Sequence, residues 1–383
     1  MTPFPFKAGF LIDRWRPDRG GAEKALALLA AHLERKGWEV HAFGAVGPEK
    51  GPEAPGIFHP VRVRALTRAR FERALGPALV DAAREEGCRV TVGVRHLPRV
   101  DVLWTQNGIL RGEFGEGPVR GRRRVFLDFE ESLLGRGGAR KVACVSRLVL
   151  EEALRFYPAC RERLALVPNG VDLERFRIEA RAREGAALRE TLGLPRGRLL
   201  LTFPGRDPLR KGLPVLFRAL ERLRDLPWTL VVAGPRKPGR WRREARAFGL
   251  GPGRVLVLPH LEDLALAAGA DLCVLPTRRD PCGLVILEAL ACGTPVVTTS
   301  RAGAAEVMEG GGGPSGRVLE DPDDATALRE ALGEWMERLL AGAPDRESIR
   351  EAVKDRGLHP WMEAMERLLL QAAGENERGE FND

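Results

Sequence analysis

Tyrosine is almost absent from this chain: Tyr157 is the only one in 383 residues, and all aromatics together make up 6%. Binding of single-stranded nucleic acid without sequence preference uses aromatic platforms along a basic groove. No stretch here interleaves the two, so nucleic acid is not expected as a partner despite the positive charge. Long apolar runs are also missing, and none approaches the roughly 20 residues of a membrane-spanning helix. The opening segment MTPFPFKAGFLIDRW offers only a short apolar run before Asp13, so a secretion signal is not expected. The six cysteines, at 88, 144, 160, 273, 282 and 292, form no CxxC pair and have no histidine cluster beside them. A zinc site is therefore not expected. Cys144 and Cys273 stand in apolar strand contexts and read as small buried hydrophobes, and free thiols suit a reducing cytoplasm. A GxGxxG run and a P-loop lysine are missing as well, which leaves dinucleotide and P-loop sites unsupported.

Positive charge is plentiful, with a net +8 carried mainly by arginine. Such a balance suits anionic partners: nucleoside diphosphates, phosphorylated glycans, lipid headgroups. An arginine-rich surface laced with ion pairs is the plainer reading. Arg120, Arg122, Arg123 and Arg124 lie beside Val125, Phe126, Leu127 and Phe129. That juxtaposition fits either peripheral contact with an anionic membrane surface or an ordinary helix with solvated arginines.

The length suits two or three domains, and the pattern alternates strand and helix. Phe6–Ile12 reads as a strand, Ala22–Lys36 as an amphipathic helix ended by Gly37, and Trp38–Phe43 as the next strand. This is a βαβ opening. Gly20-Gly21 before the helix lets the backbone approach a bound group closely. Val61–Val63 is expected as a short strand, Phe71–Glu86 as a helix, and Val90–Val94 and Lys141–Ser146 as strands. Asp13 follows the first strand, and none of the turn residues Thr105, Gln106 and Asn107 is a strong acid or base. A second α/β domain begins with the strand Leu199–Phe203. Gly310–Gly313 reads as a flexible tip, and Gly374–Asp383 as a polar tail.

The segment Leu272–Thr299 concentrates the chemistry. It reads as strand, polar loop, helix and strand, with Gly283 opening the helix so that free N–H groups and a positive dipole end face the loop. Such a terminus favours phosphate. Asp280 precedes the helix and Glu288 lies within it, and both carboxylates can accept hydrogen bonds from sugar hydroxyls. Cys282 shares the loop but lacks a histidine to activate it.

Asp280, seven residues, Glu288 and the run Ala289-Leu290-Ala291-Cys292-Gly293-Thr294-Pro295-Val296-Val297 resemble the E-x7-E signature of retaining glycosyltransferases of the GT-B fold, the GT4 (glycosyl transferases group 1) family. Asp280 departs from the family's usual Glu. Gly20-Gly21-Ala22-Glu23, the turn in Val167-Pro168-Asn169-Gly170-Val171-Asp172 and the pairs Gly205-Arg206 and Lys211-Gly212 resemble further motifs of the same family. The likeness covers nearly the whole chain. Around LPRVDVLW, FEESLLGRGGARKVACVS and VPNGVD it looks most like the lipopolysaccharide-core heptose glucosyltransferases.

The resemblance implies an α/β protein of two Rossmann-like domains with parallel sheets facing across a cleft. An acceptor-binding domain would span 1–185 and a nucleotide-sugar domain 186–356, with a crossover helix and tail in 357–383. It implies that Arg206, Lys211 and the N–H groups near Gly283 and Leu284 hold the diphosphate. Glu288 would accept the ribose hydroxyls, Asp280 those of the donor sugar, and His260 would form pocket wall. Gly21 would let the first domain approach the phosphates, and Asp13, Thr105, Gln106 and Asn107 would be candidates on the acceptor side. No metal and no cofactor are expected, only a nucleotide-diphosphate sugar, with UDP-glucose foremost, and a glycan or lipid-linked acceptor. Anomeric configuration would be retained, in an enzyme of the cytoplasm or the inner face of its membrane. Two readings stand beside it: a non-catalytic nucleotide-sugar binder of the same fold, and the less favoured nucleic-acid-binding protein.

Overall fold

The computed structural model describes residues 6–16, 20–48, 54–115, 117–259, 261–308, 312–342 and 344–374. The chain forms two compact units. One comprises Met1–Pro168 and His359–Asp383, the other Asn169–Leu358.

The first unit is built on a seven-stranded parallel sheet: β1 (Lys7–Leu11), β2 (Glu39–Gly44), β3 (Ile57–Pro60), β4 (Val90–Gly93), β5 (Val100–Trp104), β6 (Ala139–Cys144) and β7 (Leu164–Leu166), ordered β3-β2-β1-β4-β5-β6-β7. Helices supply the parallel crossovers and bury their apolar stripes on the sheet. In Gly21–Arg35 the buried positions Ala25, Leu26, Leu29, Ala30 and Leu33 recur at helical spacing. Gly37, at φ 86°, turns the chain out of that helix. Thr67 caps Arg68–Glu85 by accepting from the Arg70 N–H at 3.2 Å, and Ser146 caps Arg147–Phe156 from the Val149 N–H at 3.3 Å.

The second unit repeats the plan with β8 (Leu199–Pro204), β9 (Trp228–Ala233), β10 (Val255–Leu258), β11 (Leu272–Leu275), β12 (Val296–Thr299), β13 (Gly312–Gly313) and β14 (Gly316–Leu319). Their order is β10-β9-β8-β11-β12-β14-β13, parallel except for the β13–β14 pair. β8, β9, β11 and β12 are buried along nearly their whole length, as strands covered on both faces must be. In each sheet the chain runs outward on one side of its first strand, then returns to the other side of it. The order therefore reverses between β1 and β4, and again between β8 and β11. In open α/β sheets, ligands bind beyond the carboxyl ends at such points.

Several expectations shift. Val61–Val63 is not a strand; the preceding Ile57–Pro60 pairs with β2 instead. The change of unit falls at Pro168/Asn169 rather than at 185/186, because Val171, Phe176 and Ala180 bury themselves in the core of the second unit. The helix Pro238–Ala247 has no counterpart in the sequence reading: only Trp241 and Ala245 are buried on it, too few for an apolar stripe to be legible. Gly312–Gly313 belong to β13, whereas Gly310 and Gly311 of the expected flexible tip and 375–383 of the tail lie outside the described residues. Among the described residues, no helix is long and apolar enough to cross a membrane.

The last helix, Leu358–Ala373, packs almost entirely in the first unit. Trp361 lies 5.6 Å, centroid to centroid, from Trp104 on β5. Glu366 meets His32 at 2.9 Å, and the Ala372 carbonyl accepts from Arg140 at 2.9 Å. Trp361 is 5% exposed, so Trp361→Ala should cost about 3–5 kcal/mol. This should appear as a lower urea midpoint for the unit that holds Trp104.

Candidate active site

The loops after β8 and β11 meet at the second unit's switch point. The first carries Gly205-Arg206 and Lys211-Gly212, the second Pro276 to Gly283. Lys211 is only 9% exposed. Its Nζ lies 3.4 Å from Asp280 Oδ2 and donates to the Pro204 carbonyl at 3.3 Å. The glycines make this possible. Gly212 sits at φ 81°, where a Cβ would fall 1.9 Å from the Pro276 carbonyl oxygen. At Gly205 a Cβ would fall 2.5 Å from Lys211 Cδ. The lysine stem thus lies where side chains at either position would collide with it or with the neighbouring loop.

Asp280 is fixed from several directions. Its N–H donates to the Arg301 carbonyl at 2.9 Å and its carbonyl accepts from the Gly303 N–H at 2.8 Å. Oδ1 accepts from the Gly283 N–H at 3.0 Å, while Oδ2 faces Lys211. The shorter carboxylate therefore ties down the entry to the helix Leu284–Ala291 and neutralises the lysine at the same time. A carboxylate has about four acceptor sites, so two such contacts leave capacity for a ligand hydroxyl. Gly283 enters the helix at φ 80°, a conformation that favours glycine.

Glu288 lies on that helix and lines a small pocket with Thr202, Pro204, Asp263, Cys273 and Val285, beside the ends of β8 and β11. Leu284, at the first turn, is half-buried. Arg206 is exposed, and its carbonyl accepts from the Arg236 N–H at 3.2 Å. His260 lies outside the described residues. The Cys282 thiol accepts from Asn169 Nδ2 at 3.2 Å; burial, with Asp280 adding to it, pushes its pKa up. Burial likewise pushes the Cys273 thiol up to about 12. Neither is a thiolate nucleophile.

In the first unit, Asp13 follows β1 and Arg95 follows β4, at the switch point there. Arg95 Nη1 lies 4.0 Å from Asp13 Oδ1. Arg95 Nη2 pairs with the buried Glu72, which also holds Arg122 Nε at 2.6 Å. Nε and Nη1 of Arg95 are buried and make no hydrogen bond among the described residues. The sequence reading missed Arg95 and Glu72; the Arg-His pair directly after an apolar strand was the available signal. Thr105 and Asn107 prove to be tied to backbone: Thr105 Oγ1 donates to the Ala143 carbonyl at 2.9 Å and Asn107 Nδ2 to the Val94 carbonyl at 3.0 Å. Gln106 is half-buried between them. Gly20 is extended and Gly21 opens its helix exposed.

The basic segment near 120 is mostly accounted for within the unit. Val125, Leu127 and Phe129 face the core. Arg124 pairs with Asp128 at 2.8 Å, while Arg122 and Arg123 lie over Phe126 and Phe114. The same helix, Arg122–Glu130, ends in a fully buried carboxylate. Glu130 accepts from the N–H groups of Leu110 at 2.6 Å and Arg111 at 2.8 Å and from the Tyr157 hydroxyl at 2.9 Å, with His96 Nε2 at 2.7 Å and poorly aligned. Burial raises its pKa, but His96 and the two N–H groups outweigh burial and hold it below the ordinary value.

Both units are thus doubly wound α/β sheets with charged loops at their switch points, the architecture of GT-B glycosyltransferases. A family model described as "Glycosyl transferases group 1" matches residues 198–338, and one described as "Glycosyltransferase Family 4" matches 19–175. A D-inositol 3-phosphate glycosyltransferase of Thermomonospora curvata is 30% identical over 93% of this chain and 94% of its own. The Xylanimonas cellulosilytica enzyme of the same name is 29% identical over 85% and 87%. Among solved structures, WaaG, a glycosyltransferase involved in lipopolysaccharide biosynthesis, superposes with a TM-score of 0.82 at 21% identity, covering 94% of this chain and 99% of its own. Anabaena HepE in complex with UDP-glucose superposes with a TM-score of 0.75 at 19% identity, covering 95% and 99%. The chain belongs to glycosyltransferase family 4 and is a glycosyltransferase.

Glu130 gives a pH test. Its folded pKa lies below the ordinary 4.5, so its stabilisation is present above that value and is lost as pH falls through the folded pKa. Urea midpoints measured from pH 7 downward should show Glu130→Gln less stable than the parent at neutral pH. The two should converge below pH 4.5.

Proposed function

We propose that this chain transfers a hexose from a nucleoside-diphosphate sugar, with UDP-glucose as first candidate, to a hydroxyl of a glycan, lipid-linked or phosphorylated acceptor, with retention of anomeric configuration. The observation that carries this reading is the Lys211–Asp280 pair at the β8/β11 switch point, beside the helix that begins at Gly283.

A diphosphate placed there meets the Lys211 ammonium and the first N–H groups of the helix Leu284–Ala291, with the Arg206 guanidinium on the exposed side. These groups stabilise the charge that develops as the sugar–phosphate bond breaks. Cations and a helix terminus supply the positive charge, so the transfer is expected to need no metal. Glu288 accepts the ribose hydroxyls from the pocket wall. Asp280 keeps Lys211 in place and offers its remaining acceptor capacity to the donor sugar. The acceptor hydroxyl attacks the anomeric carbon from the face the nucleotide leaves, and a phosphate oxygen takes its proton. No protein nucleophile takes part, which is consistent with the protonated thiols of Cys273 and Cys282.

An anionic acceptor is favoured by Arg95, whose Nε and Nη1 are buried without hydrogen-bond partners among the described residues. A buried donor left unmatched is costly, and a phosphate beside Asp13 and Arg95 would satisfy it. The inositol 3-phosphate in the names of two relatives is an acceptor of that kind.

Calorimetric titration with UDP, ADP, GDP and their glucose conjugates, without added metal, is the first test. One nucleotide should bind well, and Glu288→Gln should weaken it by about tenfold or more, the loss of one charge-assisted hydrogen bond. If none of them binds, the reading fails. Lys211→Ala should abolish turnover yet retain the parent's circular dichroism; normal turnover would remove the lysine from its role. Proton NMR of the first-formed product should show the donor's anomeric configuration, and inversion would overturn retention.

A further inference from the structure

Between the amino ends of β1 and β2 and the edge strand β3, parallel pairing assembles a cluster that the proposed glycosyl transfer does not use. β1 and β2 begin side by side at Lys7 and Glu39. His41 follows on β2, His59 lies on the edge strand β3, and Glu86 follows the helix Arg68–Glu85. The register places His59 opposite Phe43 and diagonal to His41. The His59 ring stacks on both, 4.7 Å from Phe43 and 5.0 Å from His41 between centroids.

The ring nitrogens converge. His41 Nδ1 lies 2.8 Å from His59 Nε2 and 3.8 Å from Glu86 Oε1, and His59 Nδ1 lies 3.9 Å from Glu86 Oε2. One ligand atom can be taken from each residue with all three within 4.8 Å of one another. A tetrahedral ion bound at about 2.0–2.1 Å needs ligand atoms about 3.3 Å apart, which the triad reaches from its 4.8 Å spread by side-chain movement.

His41 is also oriented for the task. Its Nε2 lies 2.7 Å from Glu39 Oε1. An ionised carboxylate only accepts, so Nε2 carries the proton and Nδ1 presents a lone pair to His59. A carboxylate behind a histidine is the usual outer partner of a metal-bound imidazole. Charge favours a cation: two carboxylates, Glu39 and Glu86, face one ammonium, Lys7, at 3.5 and 3.4 Å. His41 is 2% exposed by side chain, His59 29% and Glu86 35%, so the inner ligand is dry and the outer two leave room for a water.

We propose that His41, His59 and Glu86 bind a transition-metal ion of the Zn2+ type, with water completing its coordination. The ion clamps edge strand β3 to β2 and to the end of the helix Arg68–Glu85. Two imidazoles and one carboxylate suit Zn2+, Co2+, Ni2+ or Cu2+, whereas Mg2+ and Ca2+ prefer oxygen ligands alone. The ion replaces the proton between the two rings, which moves to His59 Nδ1 so that the ring stays neutral, and displaces Lys7 from Glu86. Glu39 keeps its bond to His41. The role is structural and separate from the metal-free transfer proposed above.

The test uses untagged full-length protein treated with chelator and then dialysed free of it. Calorimetric titration with ZnCl2 should give one ion per chain and a raised thermal midpoint, and MgCl2 should give neither. CoCl2 should produce the visible absorption of tetrahedral Co2+. His59→Ala and Glu86→Gln should each lose Zn2+ binding, and Glu39→Gln should weaken it about 10–100-fold. His59 lies half-exposed on an edge strand, so its variant is expected to fold, and Glu86→Gln keeps the side-chain shape. Five of the six thiols are buried, which leaves Cys88 as the main competing ligand; ions held there would survive both variants. Failure of the parent to bind Zn2+, equal binding of Mg2+, or unchanged Zn2+ binding in both variants would overturn the proposal. Nucleotide binding plays no part in this readout, so its outcome is independent of the donor-site assignment.

Discussion

The ion pair between Lys211 and Asp280 is the constraint around which the second unit's site is arranged. A lysine that is 9% exposed pays a large desolvation cost unless a counter-charge stands beside it. Asp280 supplies that charge and, through Gly283, ties it to the start of a helix whose free N–H groups carry positive potential of their own. Three glycines follow from this arrangement. Gly205 makes room for the lysine stem, Gly212 lets its loop pass the Pro276 carbonyl, and Gly283 turns the chain into the helix. Cation and helix terminus are thereby held in place in advance, and in the proposed transfer little reorganisation would be left for the moment of reaction.

The first unit uses the same topology with different chemistry. Asp13 and Arg95 occupy the loops that correspond to those of the Lys211–Asp280 pair, but at 4.0 Å, with Arg95 held through Glu72 and Arg122. Behind them, Glu130 gathers two backbone N–H groups, a tyrosine hydroxyl and a histidine around one fully buried carboxylate. The start of the segment after the 105–107 turn and the tyrosine hydroxyl thus share one buried acceptor. In the turn at 105–107, the Thr105 and Asn107 side chains are committed to backbone carbonyls.

The two ends of the first sheet carry different chemistry. Its carboxyl end presents Asp13 and Arg95, while imidazole and carboxylate groups gather between the amino ends of β1 and β2 and the edge strand β3. Edge strands have unpaired backbone on one side, and β3 is four residues long. A cross-link from His59 into the sheet would act on a strand paired on one side only.

The sequence by itself determined the alternation of strand and helix, because buried parallel strands read as apolar runs and covering helices carry a 3.6-residue stripe. It also determined the family, through short contiguous motifs: Asp280 to Val297, Gly205-Arg206 and Lys211-Gly212. Those motifs are legible because glycine and charge requirements there are local. Tertiary structure alone decided which distant groups meet. The helix Pro238–Ala247 was hidden because only two of its side chains are buried. β3 was displaced because an edge strand has little apolar signal, and Phe176 and Ala180 joined the second core through packing that no local pattern announces. Arg95 with Asp13, Glu130 with His96, and His41 with His59 are likewise products of strand order and register. Composition showed six scattered cysteines and six scattered histidines, and parallel pairing, which joins residues across a whole crossover, brought two of those histidines together.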